Sequence, residues 1–145
     1  MSAMTNFLEN SLIDQIFRAQ AAPSTGTLYV ALYTVAPTDA GGGTEVAGFG
    51  YARVAVSSSL ANWAGTQAPG STDPSSGTSG ETSNNNAITF PTPTGGGWGN
   101  AVAFAIHDSA VGGNMLLHGP LTIAKTINEA DTVSFPAGSL AVTFA

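Results

Sequence analysis

The sequence predicts a mainly β domain, an antiparallel β-sandwich or jelly-roll-like barrel with one N-terminal amphipathic helix. Three observations carry that expectation. From residue 27 onward, short apolar stretches recur, each closed by Gly, Pro, Asn or Asp. Only one stretch, near the N-terminus, has helical spacing. The chain has 145 residues, 43% of them apolar, which suits one domain with a real core.

Residues 6–20 form the expected helix. Leu8, Leu12, Ile13, Ile16 and Phe17 recur at three- and four-residue spacing and share a face. Asn6 with Glu9 three residues on fits a capping box, and Pro23 is the expected stop. Such a helix either packs on its own domain or serves as an arm, residues 1–24, against a neighbouring subunit. The second reading makes Leu12, Ile16 and Phe17 interface candidates. The β-sandwich then spans residues 25–145.

The clearest strand is 27–34. Leu28, Val30 and Leu32 fall on one face, and Tyr29, Ala31 and Tyr33 on the other. Two apolar faces need cover on both sides, or one face meets another subunit. Tyr33 is therefore an interface candidate. The loop from Val35 to Val46 holds Gly41-Gly42-Gly43 and other turn formers. A second strand is expected at 50–57. Residues 57–86 are mostly Ser, Thr, Gly, Asn and Pro, with Leu60 and Trp63 as the large apolar side chains. This reads as a long loop, docked on the core or on a partner by Trp63. Strands follow at 87–91, 98–107, 115–121 and 121–126, with a hairpin connection at 108–114 and a turn at 128–131. Pro120 implies an edge or a bulge. Residues 132–135 and 140–144 read as a final hairpin across Pro136-Ala137-Gly138-Ser139.

Charge narrows the function. Charged residues are only 8% of the chain, against about a quarter in an ordinary domain. The net charge is −6, and Arg18, Arg53 and Lys125 are the only cations of the basic kind. Three scattered cations build no phosphate-tracking surface, so neither nucleic acid nor an anionic membrane is an expected partner. There is no cysteine, hence no disulfide framework and no thiolate metal site. No apolar run approaches a spanning length, and the N-terminus lacks the pattern of a signal peptide.

Chemistry finds little foothold. His107 and His118 are the only imidazoles. His107 and Asp108 are adjacent in sequence, and adjacent strand side chains point apart. No G-x-S-x-G turn exists. The two histidines would form a metal pair only if the 98–107 and 115–121 hairpin brought them together. Asp39 and Glu45 are possible calcium ligands, and Glu129 and Asp131 form a second carboxylate pair, but turn chemistry explains both. Gly41-Gly42-Gly43 is not followed by Lys-Ser/Thr or by a helix, so it is no phosphate loop. The expectation is no catalytic residue, no cofactor and no metal. What remains is binding by surface, with Leu12, Ile16, Phe17, Tyr33 and Trp63 as anchors.

Several blocks resemble a known family. They are Leu28-Tyr29-Val30-Ala31-Leu32-Tyr33-Thr34, Ala36 to Val46, Gly50-Tyr51-Ala52-Arg53, Asn86 to Pro91, Trp98-Gly99, Ile106-His107-Asp108, Gly112 to Gly119, and Lys125 to Asn128. Together they are similar to small tailed-bacteriophage virion proteins of the tail-fibre-like type, whose members often carry Phe at the position of His107. The resemblance implies a structural component of the phage particle without enzymatic activity, made in the bacterial host cytoplasm. A fibre needs a shaft of heptads, triplets or β-repeats, and this sequence has none. The first expectation is therefore a head decoration (cement) protein that binds the major capsid protein and stabilises neighbouring subunits. The alternative is a short tail fibre or tail adaptor involved in host attachment. Either implies other virion proteins as partners and a closed homo-oligomer, dimer or trimer.

Overall fold

The computed structural model describes residues 2–22, 26–65 and 72–144. Pro23 and the middle of the 57–86 stretch lie outside the described residues. The elements run β1 (Ala3–Met4), α1 (Asn6–Arg18), β2 (Thr27–Val35), β3 (Thr44–Glu45), β4 (Val54–Ser57), β5 (Glu81–Ser83), β6 (Ile88–Thr89), β7 (Gly99–His107), β8 (Met115–Ile127), β9 (Ser134–Phe135) and β10 (Ala141–Thr143). The protein is mainly β, and among the described residues every strand pairing is antiparallel and there is one helix.

The main sheet has the order β1-β8-β7-β2-β3, with β4 also on β2. β2 is its centre. One edge of β2 pairs with β7 from Tyr29 to Tyr33. The other edge is shared, with β4 opposite residues 27–30 and β3 opposite Tyr33 and Val35. The alternating Leu, Val, Ala and Tyr side chains of β2 suit this position, since branched and aromatic residues fill a pleated surface covered on both sides.

Two small ribbons, β5–β10 and β6–β9, form a second layer. They close the face that carries Val30, Leu32, Phe104, Ile106 and Leu117, adding Ile88, Leu140 and Val142 to one apolar cluster. Phe135 joins the layers, with its ring 6.2 Å from both Phe90 and Phe104. The opposite face of the sheet is lined by Ala31, Tyr33, Ala103 and Ala105, all buried. Its small side chains leave room for the polar groups described below.

Several expectations shift. The helix cap is Thr5, not Asn6. The Thr5 hydroxyl accepts from the Leu8 N–H, and the helix ends at Ala19 in the left-handed region (φ 53°), before Pro23 is reached. Thr5 wins because its backbone N–H also donates to Leu116 O (3.0 Å), tying the cap to β8. The 50–57 strand starts only at Val54. Phe49 and Gly50 have positive φ (50° and 81°), and Tyr51 turns away from the ladder. Residues 115–121 and 121–126 are one strand, β8, whose register against β7 shifts between Ala101 and Ala103, next to Pro120.

The terminal hairpin does not form. β9 pairs with β6, and β10 with β5. Asn84 explains this. Its side-chain N–H donates to Pro136 O (2.9 Å), its Oδ1 accepts from Leu140 N–H (2.9 Å), and its backbone oxygen accepts from Gly138 N–H (2.6 Å). Asn84 is 1% exposed. It grips the 136–140 turn and splays its two arms onto separate partners. The Ser/Gly/Thr-rich stretch thus supplies a strand and a core polar residue at its far end, rather than loop alone.

Candidate interaction surface

The helix is attached to the body at its N-terminal end. No residue of α1 is buried. Its first turn is held firmly. Thr5 caps it, Asn6 N–H donates to Asp39 O (2.9 Å), and Phe7 and Leu8 pack against the core. Beyond that turn the cover ends. Leu12 is half-buried, while Ile13, Ile16 and Phe17 are exposed, Ile16 at 67% and Phe17 at 79%. At 1.5 Å rise per residue, Phe17 stands about 14 Å along the helix from Leu8. An Asp14–Arg18 pair (3.1 Å) lies on the solvent side. Single exposed apolar residues are ordinary, but three on one helix face form a patch.

Trp63 sits elsewhere. It packs half-buried against the main cluster and bridges to Asn84. It lines an apolar groove of about 510 Å³ with Leu28, Leu60, Ile106, Val142 and Phe144. Leu60 and Phe144 stand at its rim, 53% and 44% exposed.

Tyr33 is inside the chain, 4% exposed. Its hydroxyl lies 3.0 Å from His107 Nε2, with the rings parallel. Burial pushes the Tyr33 pKa up to about 12, helped by the Glu45 carboxylate. Tyr33 therefore keeps its proton, and its hydroxyl and His107 Nε2 form one buried hydrogen bond. The Nδ1 of His107 has no partner among the described residues. Burial pushes the His107 pKa down to about 4, and Arg53 pushes the same way.

Beside them lies a part-buried ion pair that the sequence analysis did not single out. The Arg53 guanidinium holds Glu45 through two bonds (2.8 and 2.7 Å) and donates to Ser109 O and Gly112 O (2.8 and 2.9 Å). Arg53 thus crosses β2, from the β3 edge to the 108–114 hairpin. Tyr51 Oη donates to Glu45 (3.0 Å) and accepts from Leu32 N–H (3.0 Å), filling the gap between β4 and β3 on the β2 edge. Burial alone would raise the Glu45 pKa, but the bonds from Arg53 outweigh it and hold the carboxyl below its usual range. The same bonds raise the Arg53 pKa. Every charge here is spoken for, which suits a structural clamp. A signal for it existed. Arg53 is one of three basic residues and sits among strand positions, so it had to find a carboxylate.

The remaining polar candidates are held locally. His118 pairs with Asp39 (3.0 Å), not with His107. Glu129 accepts from Gly95 N–H and Asp131 from Asn128 N–H, as turn residues do. Among the described residues, no three His, Asp or Glu side chains gather where a metal ion would fit. Among the same residues, no helix is long and apolar enough to cross a membrane.

Residues 3–143 match the family described as Podophage GP4 fiber I protein gp80. The chain belongs to that family. No curated protein matches it. Membership makes this a bacteriophage structural protein of the tail-fibre-like kind, as the sequence blocks led one to expect. The family is one of fibre proteins, and the match lends head decoration no support.

Proposed function

We propose that the protein is a non-enzymatic component of the phage fibre apparatus, held in the virion by surface contact with neighbouring virion proteins. The observation that carries the reading is the helix arm, clamped at its base and apolar at its free end. A part-buried clamp that fixes the sheet leaves the arm as the element free to meet a partner. The family description supports the fibre location. Synthesis takes place in the host cytoplasm before assembly.

Copy number tests the location. Quantitative mass spectrometry of separated heads and tails should find the protein on tails at a few tens of copies or fewer. Hundreds of copies on heads would instead establish the decoration reading, whose one support is the absence of a shaft repeat in the sequence. Attachment through apolar side chains is little screened by salt. Release of the protein from particles by about 1 M NaCl would therefore refute attachment through the arm.

A further inference from the structure

We propose that the outer edge of β8 beyond Gly119, with the cleft beside it, takes an extended, carboxylate-bearing segment of a different protein. This edge is a contact surface separate from the helix arm, so it holds whether or not the arm binds. It does not depend on where in the virion the protein sits.

Backbone pairing leaves this edge open. β8 runs on to Ile127, but β1 covers its outer side only at Leu117 and His118. Next to β1, Ser2 turns off toward β10, its hydroxyl donating to Thr143 O (3.3 Å) and accepting from Thr143 N–H (2.8 Å). The edge thus accepts a strand and is then left unused. On its other side β8 parts from β7. Between the Ala101–Lys125 and Ala103–Pro120 pairs, β7 advances two residues and β8 five. The extra residues bulge, and Thr122, Ile123 and Ala124 are exposed. Among the described residues no strand pairs with 121–124 on either side, and β9 pairs with β6 alone. Peptide groups left in this way are met by water or by an added strand.

The cleft says what the added strand carries. It lies between the bulge and β9, has a volume of about 370 Å³, and is lined by Leu32, Ala101, Leu121, Ile123, Val133 and Phe135. That is room for apolar side chains of an extended chain, and Ile123, 80% exposed, stands ready to cover them. Lys125 is the only charged side chain in the lining. Arg18 and Arg53 each hold a carboxylate, whereas Lys125 has none among the described residues. It pairs directly with Ala101, which is buried in the main cluster, so its stem leaves the sheet on the cleft side. A lone cation at the mouth of an apolar cleft selects a carboxylate. Edge lysines and bulges also serve to keep strands away. A guard, however, needs no apolar cleft beside it.

The test selects binders from a displayed library of random peptides of about ten residues, enough for one strand, on the full chain held by a terminal tag. Enriched peptides should alternate apolar and polar residues and carry Asp or Glu. Binding of the best peptide should slow hydrogen exchange at the amides of Thr122, Ala124 and Thr126, the mark of an added strand. Two variants at exposed positions, both expected to melt within a few degrees of the parent, read the contact. Ile123→Asp should abolish binding. Lys125→Glu should weaken it about tenfold, and replacing the peptide carboxylate by Lys should restore it. A library that yields no binder would leave Pro120 and Lys125 as guards of the edge and overturn the proposal. So would a neutral or basic consensus, protection on another element, or binding that survives Ile123→Asp. A change in the association state of the chain alone on Ile123→Asp would assign the edge to a second copy and overturn it equally. None of those results bears on copy number in heads and tails, so the fibre reading stands or falls separately.

Discussion

Replacing His107 by Phe should remove most of the acid sensitivity of the fold above pH 5. His107 is 4% exposed, and its pKa in the folded chain is about 4 against 6.5 for the free side chain. Above pH 6.5 the ring is neutral in both states and costs nothing. As pH falls below 6.5 the unfolded chain takes up a proton that the folded chain refuses. Stability then falls by about 1.4 kcal/mol per pH unit until the folded ring protonates near pH 4. Between pH 7 and pH 5 the loss is about 2 kcal/mol. Glu45 adds to acid loss only as pH drops through its depressed pKa, so measurements kept at pH 5 and above isolate the histidine. With a urea slope of about 2 kcal/mol per molar, the midpoint should drop by about 1 M between pH 7 and pH 5 in the parent. In His107→Phe it should barely move. At pH 7 the variant loses the Tyr33 hydrogen bond and also loses a buried ring nitrogen without a partner, so the two changes offset to within about 1–2 kcal/mol. The comparison therefore rests on the shift between pH values, read by far-UV circular dichroism. A parent midpoint equal at pH 5 and pH 7, or a variant that keeps the parent's drop, would refute the argument.

Three further outcomes follow from named contacts. Arg53→Met strands Glu45 and frees the 108–114 hairpin, and should cost about 3–5 kcal/mol, read as a fall of roughly 10 °C in Tm. Adding Glu45→Leu to it should recover part of that loss, because no buried charge is then left unpaired. Gly43→Ala should destabilise well beyond Gly42→Ala in denaturant titration. Both have positive φ (75° and 78°), but a Cβ on Gly43 would stand 2.6 Å from Val35 O, while one on Gly42 meets nothing. Asn84→Ala should cost about 2–4 kcal/mol and loosen β9 and β10 together, which hydrogen exchange would show as faster exchange at Leu140 and Phe135 in one step.

Sequence pattern revealed what repeats locally and missed what is settled at long range. The helix, β2, β7 and the 108–114 hairpin were legible because each is set by its own periodicity and turn residues. The pairing of β9 and β10 was not. Ser134–Phe135 and Ala141–Thr143 are linked by a good hairpin turn, and local chemistry favoured joining them. A single asparagine some 50 residues away overrides that turn through bonds no local pattern displays. The cap moved from Asn6 to Thr5 for the same reason, since both residues can cap and only contact with β8 separates them. Tyr33 had two readings on the strand pattern, core or contact, and β2 burial on both faces puts it inside. Ile16 and Phe17 were legible as an apolar face. Whether that face is covered depends on where the body ends, which periodicity does not encode.

The placement of the few charges ties fold to function. Of three basic residues, Arg53 is used to lock β2, β3 and the 108–114 hairpin together, and Arg18 is matched by Asp14 on its own helix. Neither is available to a partner as a free cation. The negative excess of the chain, −6 overall, is therefore not balanced at the surface, and copies of the protein repel one another at a distance. A contact that does not depend on charge must come from apolar surface. The only described helix carries such a surface, with Ile13, Ile16 and Phe17 exposed on one face beyond the turn that its cap holds.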